Sequence, residues 1–139
     1  MSEPLVSCDT SVLVAALLPA HEAHDACRAA VRGVNAVPGH VLLETFRVLT
    51  SLPGRDRVPA DRAAAALDAL AGLGWRVLQA GGSDYFQLVG ALARAGRTGG
   101  AVYDAHIAAC CAANGATLVT RDRRAVPTYE LLGATYQLI

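Results

Sequence analysis

The sequence predicts a three-layer α/β domain. Short apolar, strand-like runs alternate with one or two helical segments from end to end, and no repeat, linker or low-complexity tract interrupts them. Strands alternating with helices imply a parallel sheet covered on both faces. The 139 residues suit a single domain over 1–139. A chain of that length buries roughly two thirds of its unfolded surface, so its core needs no disulfide or metal staple.

Leu5-Val6-Ser7-Cys8 is the first apolar run, and Asp9 ends it. Ser11 is placed to cap a helix over Val12 to Leu18, which Pro19 stops. His24 to Arg32 reads as a second helix closed by Gly33, and Asn35 to Val37 as a short strand before Pro38-Gly39. From His40, the residues Val41, Leu42, Thr45, Leu49 and Leu52 recur at helical spacing up to Pro53-Gly54. Pro59 opens a helix through Ala71, with Ala63 to Ala66 favouring it strongly, and Trp75 to Gln79 is the next strand candidate. Ser83 caps a helix through Ala95, ended by Gly96. A break at Gly99-Gly100 precedes a helix from about Val102 to Ala113, stopped by Asn114-Gly115. Ala116 to Thr120 is a strand, Thr128 to Leu132 a short helix and Ala134 to Ile139 a last strand.

Composition narrows the function. The chain is 53% hydrophobic and 17% charged, with mean hydropathy +0.34, which excludes a disordered chain. No run approaches the ~18 uncharged apolar residues of a membrane span, and no basic start with an apolar run makes a signal peptide. Cys8, Cys27, Cys110 and Cys111 form no CxxC pair and read as buried free thiols of a cytoplasmic protein. Lys+Arg 12 balances Asp+Glu 12, and every one of those cations is arginine. The missing lysine excludes P-loop NTPases, Schiff-base enzymes, phospho-aspartate receivers and dehalogenase-type phosphatases.

Ligands of such sheets bind beyond the carboxyl ends of the strands. Asp9 ends the first strand and Asp122 follows the Thr117-to-Thr120 strand by two residues, so both face one crevice if those strands are neighbours. Glu44 and Asp104 lie in largely apolar helices, where a lone ionised acid is costly. Taken singly, each acid is equally a helix cap or the partner of an arginine.

Together the four resemble a known family. Asp9-Thr10-Ser11 after the first strand, Leu43-Glu44-Thr45, Tyr103-Asp104-Ala105-His106-Ile107-Ala108-Ala109 and Leu118-Val119-Thr120-Arg121-Asp122 are similar to the four acidic motifs of the PIN domain. The likeness extends to VapC, the ribonuclease toxin of bacterial type II toxin–antitoxin operons, and runs through Tyr129-Glu130-Leu131-Leu132-Gly133. Val37-Pro38-Gly39-His40 to Pro53 also resembles one VapC branch. Many relatives carry Gly-Asn where this chain has Gly99-Gly100, so no side-chain amide is expected from that loop.

The resemblance implies a five-stranded parallel sheet and a Mg²⁺-dependent endoribonuclease. Physics supplies a reason for the acids. Two carboxylates ~4 Å apart repel by about 4 kcal/mol at an effective dielectric of ~20, so four converging ones require a cation. Oxygen ligands without cysteine or clustered histidine select Mg²⁺ or Mn²⁺ over zinc. Asp9, Asp104 and Asp122 are then the expected metal ligands, with Glu44 a further ligand or the group that orients the attacking water. In-line attack is expected to leave 3′-hydroxyl and 5′-phosphate ends.

Thr10, Ser11 and Thr120 are candidates to support the acids, although Ser11 serves equally as a helix cap and Thr120 as an ordinary strand residue. Arg121, Arg123 and Arg124 flank Asp122, and Arg97 lies near the Gly99 loop; all are candidate RNA contacts. The bias towards arginine and alanine accounts for the absent lysines equally well. His21-Glu22-Ala23-His24 lacks the i, i+4 spacing of a zinc helix and reads as a solvated helix start. His40 lies one turn before Glu44 and reads as a capping or core residue, and His106 as structural. Tyr85, Phe86 and Trp75 read as core.

The family further implies an RNA substrate, a homodimer and a cognate VapB-like antitoxin laid across the acidic groove, with no membrane partner. The alternatives are a catalytically silent PIN-fold module acting through antitoxin and operator complexes, and a structured-DNA nuclease, which the small size disfavours. If four of the acids serve one metal, the rest face twelve arginines, and a net charge of zero conceals a basic surface around the site.

Overall fold

A computed structural model describes residues 3–139. Along the chain run β1 Val6–Cys8, α1 Thr10–Leu17, α2 His24–Val31, β2 Ala36–Pro38, α3 Gly39–Ser51, α4 Ala60–Gly72, β3 Arg76–Leu78, α5 Asp84–Ala95, α6 Ala101–Ala113, β4 Thr117–Thr120, α7 Val126–Leu131 and β5 Tyr136–Leu138. A 3-10 turn, Gly54–Asp56, joins α3 to α4. Helices flank parallel strands, as alternation required.

The strands do not form one five-stranded ladder. β1, β4 and β5 make a three-stranded parallel sheet in the order β1-β4-β5, and β2 and β3 make a separate parallel pair. Asn35 is the reason. Its backbone N–H donates to the Val6 carbonyl at 2.9 Å, but its side-chain oxygen, not a backbone carbonyl, accepts from Val6 N–H at 2.9 Å. Its side-chain amide then donates to the Pro4 carbonyl at 2.9 Å, and its own carbonyl accepts from Arg76 N–H at 2.9 Å. The amide side chain stands in for the ladder, and strands of three residues leave no length to resume it. β2 still packs beside β1, so the pair continues the sheet in space.

Register puts the site at one edge of the larger sheet. Val6, Ser7 and Cys8 pair with Thr117, Leu118 and Val119, so β1 and β4 end side by side and their following residues emerge together. β5 completes the sheet through Leu118↔Tyr136, Val119↔Gln137 and Thr120↔Leu138.

The core joins Val12, Leu13 and Ala15 of α1, Val41 of α3, Ile107 and Ala108 of α6, and Leu118 and Val119 of β4. Full burial of each larger aliphatic side chain contributes about 1.5–3 kcal/mol. All four cysteines are buried free thiols, and burial pushes the Cys111 thiol up to about 12, so they are packing residues and not reactive ones. Gly96 and Gly115, with φ of 65° each, take the left-handed conformation that ends α5 and α6. No helix among the described residues is long and apolar enough to cross a membrane.

Two caps differ from expectation. Ser11 lies inside α1, and the cap is Asp9, whose extended backbone lets Oδ1 accept from Val12 N–H at 3.3 Å. Ser83 makes no side-chain cap bond; Asp84 instead accepts from Gly81 N–H at 3.1 Å.

Candidate functional site

Asp9 is 3% exposed and occupies the junction of β1, α1 and β4. Both of its oxygens are engaged. Oδ1 accepts from Ser11 Oγ at 2.5 Å and from Val12 N–H, and Oδ2 accepts from Tyr129 OH at 2.7 Å and from Thr120 Oγ1. Thr120 Oγ1 in turn accepts from Asp122 N–H at 3.0 Å, and Ser11 Oγ accepts from Arg121 N–H at 3.3 Å. Two hydroxyls thus tie the β4 exit loop to the carboxylate. Burial raises the Asp9 pKa, while the bonds from Ser11, Thr120, Tyr129 and Val12 lower it; the N-terminus of α1 adds a favourable field for the anion.

The other three acids are less enclosed. Glu44 on α3 turns Oε2 to His40 Nε2 at 3.2 Å. Asp122 Oδ1 accepts from Arg124 N–H at 3.0 Å, with Arg124 Nε at 3.9 Å. That guanidinium is 96% exposed, so the pair contributes at most about 1 kcal/mol. Asp104 on α6 is half-buried, and its carboxyl is pushed up to about 6, first by burial and then by the charges of Asp122, Asp9 and Glu44; Arg124 opposes the shift. The charges of Asp122, Asp9 and Glu44 thus reach Asp104 and oppose its ionisation.

Among the described residues no three Asp, Glu, His or Cys side chains stand as a ready-made metal cluster. Asp9 and Asp122 accept from donors of the chain itself, and Glu44 contacts His40. The donor chemistry nonetheless fits a hard divalent cation, because these are carboxylate oxygens with no cysteine among them, and Arg124, which opposes the shift of Asp104, has a solvent-exposed side chain.

Ser11 and Thr120 both contact the carboxylate, as expected of them. Thr10 does not, since its buried Oγ1 has no hydrogen-bond partner among the described residues. Of the arginines, Arg121 is half-buried, Arg123 and Arg124 are exposed, and no hydrogen bond or ion pair among the described residues joins Arg97 to the acids. His40 reaches Glu44 and stacks on Tyr103 with ring centroids 5.0 Å apart. His106 accepts or donates to Tyr85 OH at 2.8 Å and meets His40 edge-on at 5.3 Å. Tyr85 and Phe86, expected in the core, are exposed. His21 and His24 are half-buried and not a solvated start: His24 Nδ1 holds the Ala15 carbonyl at 2.8 Å, and His21 Nδ1 accepts from Ala23 N–H at 3.0 Å.

Tyr129, 1% exposed, is the residue that sequence reasoning missed. The available signal was that a buried tyrosine needs a hydrogen-bond partner.

Helices flanking parallel strands, with Asp9 and Asp122 following the paired strands β1 and β4, define a class, and a family model agrees: the PIN domain model matches residues 6–130, and the chain belongs to the PIN-domain family. Within that family it is similar to Ribonuclease VapC40 of Mycobacterium tuberculosis, 40% identical over 97% of this chain and 99% of the relative. It is likewise similar to Ribonuclease VapC27 of the same species, 40% identical over 94% of each chain. Among solved structures, FitAcB from Neisseria gonorrhoeae shares the fold with TM-score 0.68 at 17% identity, covering 95% of this chain and 96% of that one. PAE2754 from Pyrobaculum aerophilum does so with TM-score 0.61 at 22% identity, covering 96% and 90%.

Proposed function

We propose that this protein is a Mg²⁺- or Mn²⁺-dependent endoribonuclease toxin of the VapC kind, neutralised by a cognate VapB-like antitoxin. The observation that carries the reading is Asp9, buried at the end of β1 with both carboxylate oxygens held by Ser11, Thr120, Tyr129 and the first turn of α1. The two M. tuberculosis relatives named as ribonucleases support the reaction class.

Asp9, Asp104 and Asp122 would hold the cation. Such an ion lowers the pKa of a bound water and offsets charge on a phosphate. Asp9 is fixed by Ser11, Thr120 and Tyr129, so its carboxylate needs little reorganisation to serve. Glu44, held by His40, is placed to accept a proton from, or orient, the water that attacks phosphorus. In-line attack leaves 5′-phosphate and 3′-hydroxyl ends. Arg121, Arg123 and Arg124 beside Asp122 supply cations for the RNA backbone.

Homodimer formation is supported by exposed apolar side chains on two helices that each pack against α6: Leu43 and Phe46 of α3, Phe86 and Val89 of α5, with Phe86 86% exposed. A cytoplasmic location agrees with the free thiols.

A second reading, a silent PIN-fold module working through antitoxin and operator complexes, draws on the absence of a ready-made metal cluster among the described residues. Purified protein incubated with an RNA panel and Mg²⁺ or Mn²⁺ separates the two. Cleavage that is lost in Asp9→Asn and Asp104→Asn supports the nuclease. Antitoxin binding without cleavage of any RNA supports the silent module, and cleavage unchanged in both variants overturns the site.

A further inference from the structure

A cleft of about 310 Å³ adjoins the acids on the side of α1 and α3; Ser11, Val14, His21, Glu44, Val48 and Arg121 are among its walls. Ser11 and Glu44 connect it to the site, since Ser11 bonds Asp9 and Glu44 is one of the four acids. Val14 and Val48 give it an apolar floor, which strengthens any polar contact made above them.

Two side chains in this cleft have hydrogen-bonding capacity that the described residues do not use. Arg121 is half-buried, yet its guanidinium forms no ion pair among the described residues, in contrast to Arg124. Its guanidinium is thus free to meet an anion entering the cleft. Its backbone is fixed, because its N–H donates to Ser11 Oγ at 3.3 Å. His21, in the α1–α2 connection, is the other. A backbone N–H only donates, so the bond from Ala23 N–H at 3.0 Å makes Nδ1 the acceptor. With Nδ1 accepting, Nε2 is the ring's N–H donor, and it makes no protein hydrogen bond among the described residues, so it is open to solvent or a ligand. One planar cation and one oriented N–H donor face a common space. The acid in the wall, Glu44, turns Oε2 away to His40.

We propose that this cleft seats a backbone phosphate of the RNA strand next to the scissile one, with His21 and Arg121 as its two anchors. The proposal rests on the nuclease reading and adds His21 as a substrate-positioning residue. It also sets the direction of the strand, away from the acids along α1. The shared chemistry is a phosphate anion, and inorganic phosphate is its minimal probe.

The test measures steady-state cleavage and equilibrium binding of a short fluorescent single-stranded RNA by the whole protein. Losing one hydrogen bond to a charged group predicts that His21→Ala raises KM by about tenfold, with the loss falling on KM and not on kcat. His21→Gln, whose amide N–H can replace Nε2–H, recovers most of that loss; a merely structural histidine would show no such rescue. Arg121→Gln weakens binding and lowers the slope of log Kd against log salt by about 0.7, the single-strand value for one phosphate contact, whereas His21→Ala leaves the slope unchanged. Inorganic phosphate competes with RNA for wild type and less for Arg121→Gln. If both variants hold wild-type KM and salt slope while RNA is cleaved normally, the phosphate seat is wrong and the nuclease reading stands. If wild type neither binds nor cleaves any RNA with Mg²⁺ or Mn²⁺, the two fall together.

Discussion

The two halves of the site are built differently. The sheet-borne half, Asp9 with Ser11, Thr120 and Tyr129, is buried and held by contacts spanning up to 120 positions of sequence. The helix-borne half, Glu44 on α3 and Asp104 on α6, has one described anchor, the His40 contact to Glu44. The difference teaches that the fold fixes Asp9 through many contacts and holds Glu44 and Asp104 through few, so that on the proposed reading a cation would have to draw these two in. A half-made cluster is also easier to keep without a metal, since four fixed carboxylates would repel one another.

The largest expected effect breaks the contrast at its weaker half. Asp104→Asn should lower the cleavage rate by on the order of a thousandfold, the scale of several kcal/mol of lost charge stabilisation, with no change in far-UV circular dichroism. Next, the sheet-borne half is probed through stability. Tyr129→Phe removes a donor from the buried Asp9 Oδ2 and should cost about 1–3 kcal/mol in urea unfolding, with Thr120→Val similar. His40→Ala, whose partner is half-exposed, should cost under ~1 kcal/mol in the same assay while still slowing cleavage. A His40 variant as destabilised as the Tyr129 variant would erase the distinction.

A further effect is a pH trend. Asp104 is raised in the folded state from 3.8 to about 6, so the fold favours its protonated form. Its contribution to metal-free stability is present below the unfolded value and is lost as pH rises through about 6. Asp104→Asn should therefore be more stable than wild type at neutral pH, with the gap closing below the unfolded value, as followed by thermal melts in chelator.

Legibility divides along the same line. The four candidate acids stand out in the sequence because their order along the chain, strand end, helix, helix, strand exit, survives without coordinates. So do Ser11 and Thr120, each within two residues of an acid. Tyr129 does not, because its partner lies across the fold and a tyrosine in an apolar helix reads as packing. The broken sheet was hidden in Asn35, which reads as an ordinary strand start; its side chain replaces a ladder bond only once β1 lies beside it. His21 failed for a similar reason: motif spacing excludes a zinc helix but says nothing of which ring nitrogen the Ala23 N–H occupies.

The central claim is that four carboxylates serve one divalent cation, and calorimetric titration of Mn²⁺ into the purified protein tests it most directly. The account predicts saturable binding by wild type that is abolished in Asp9→Asn and in Asp104→Asn, with both variants still folded. Mn²⁺ binding of equal affinity in wild type and both variants would contradict it.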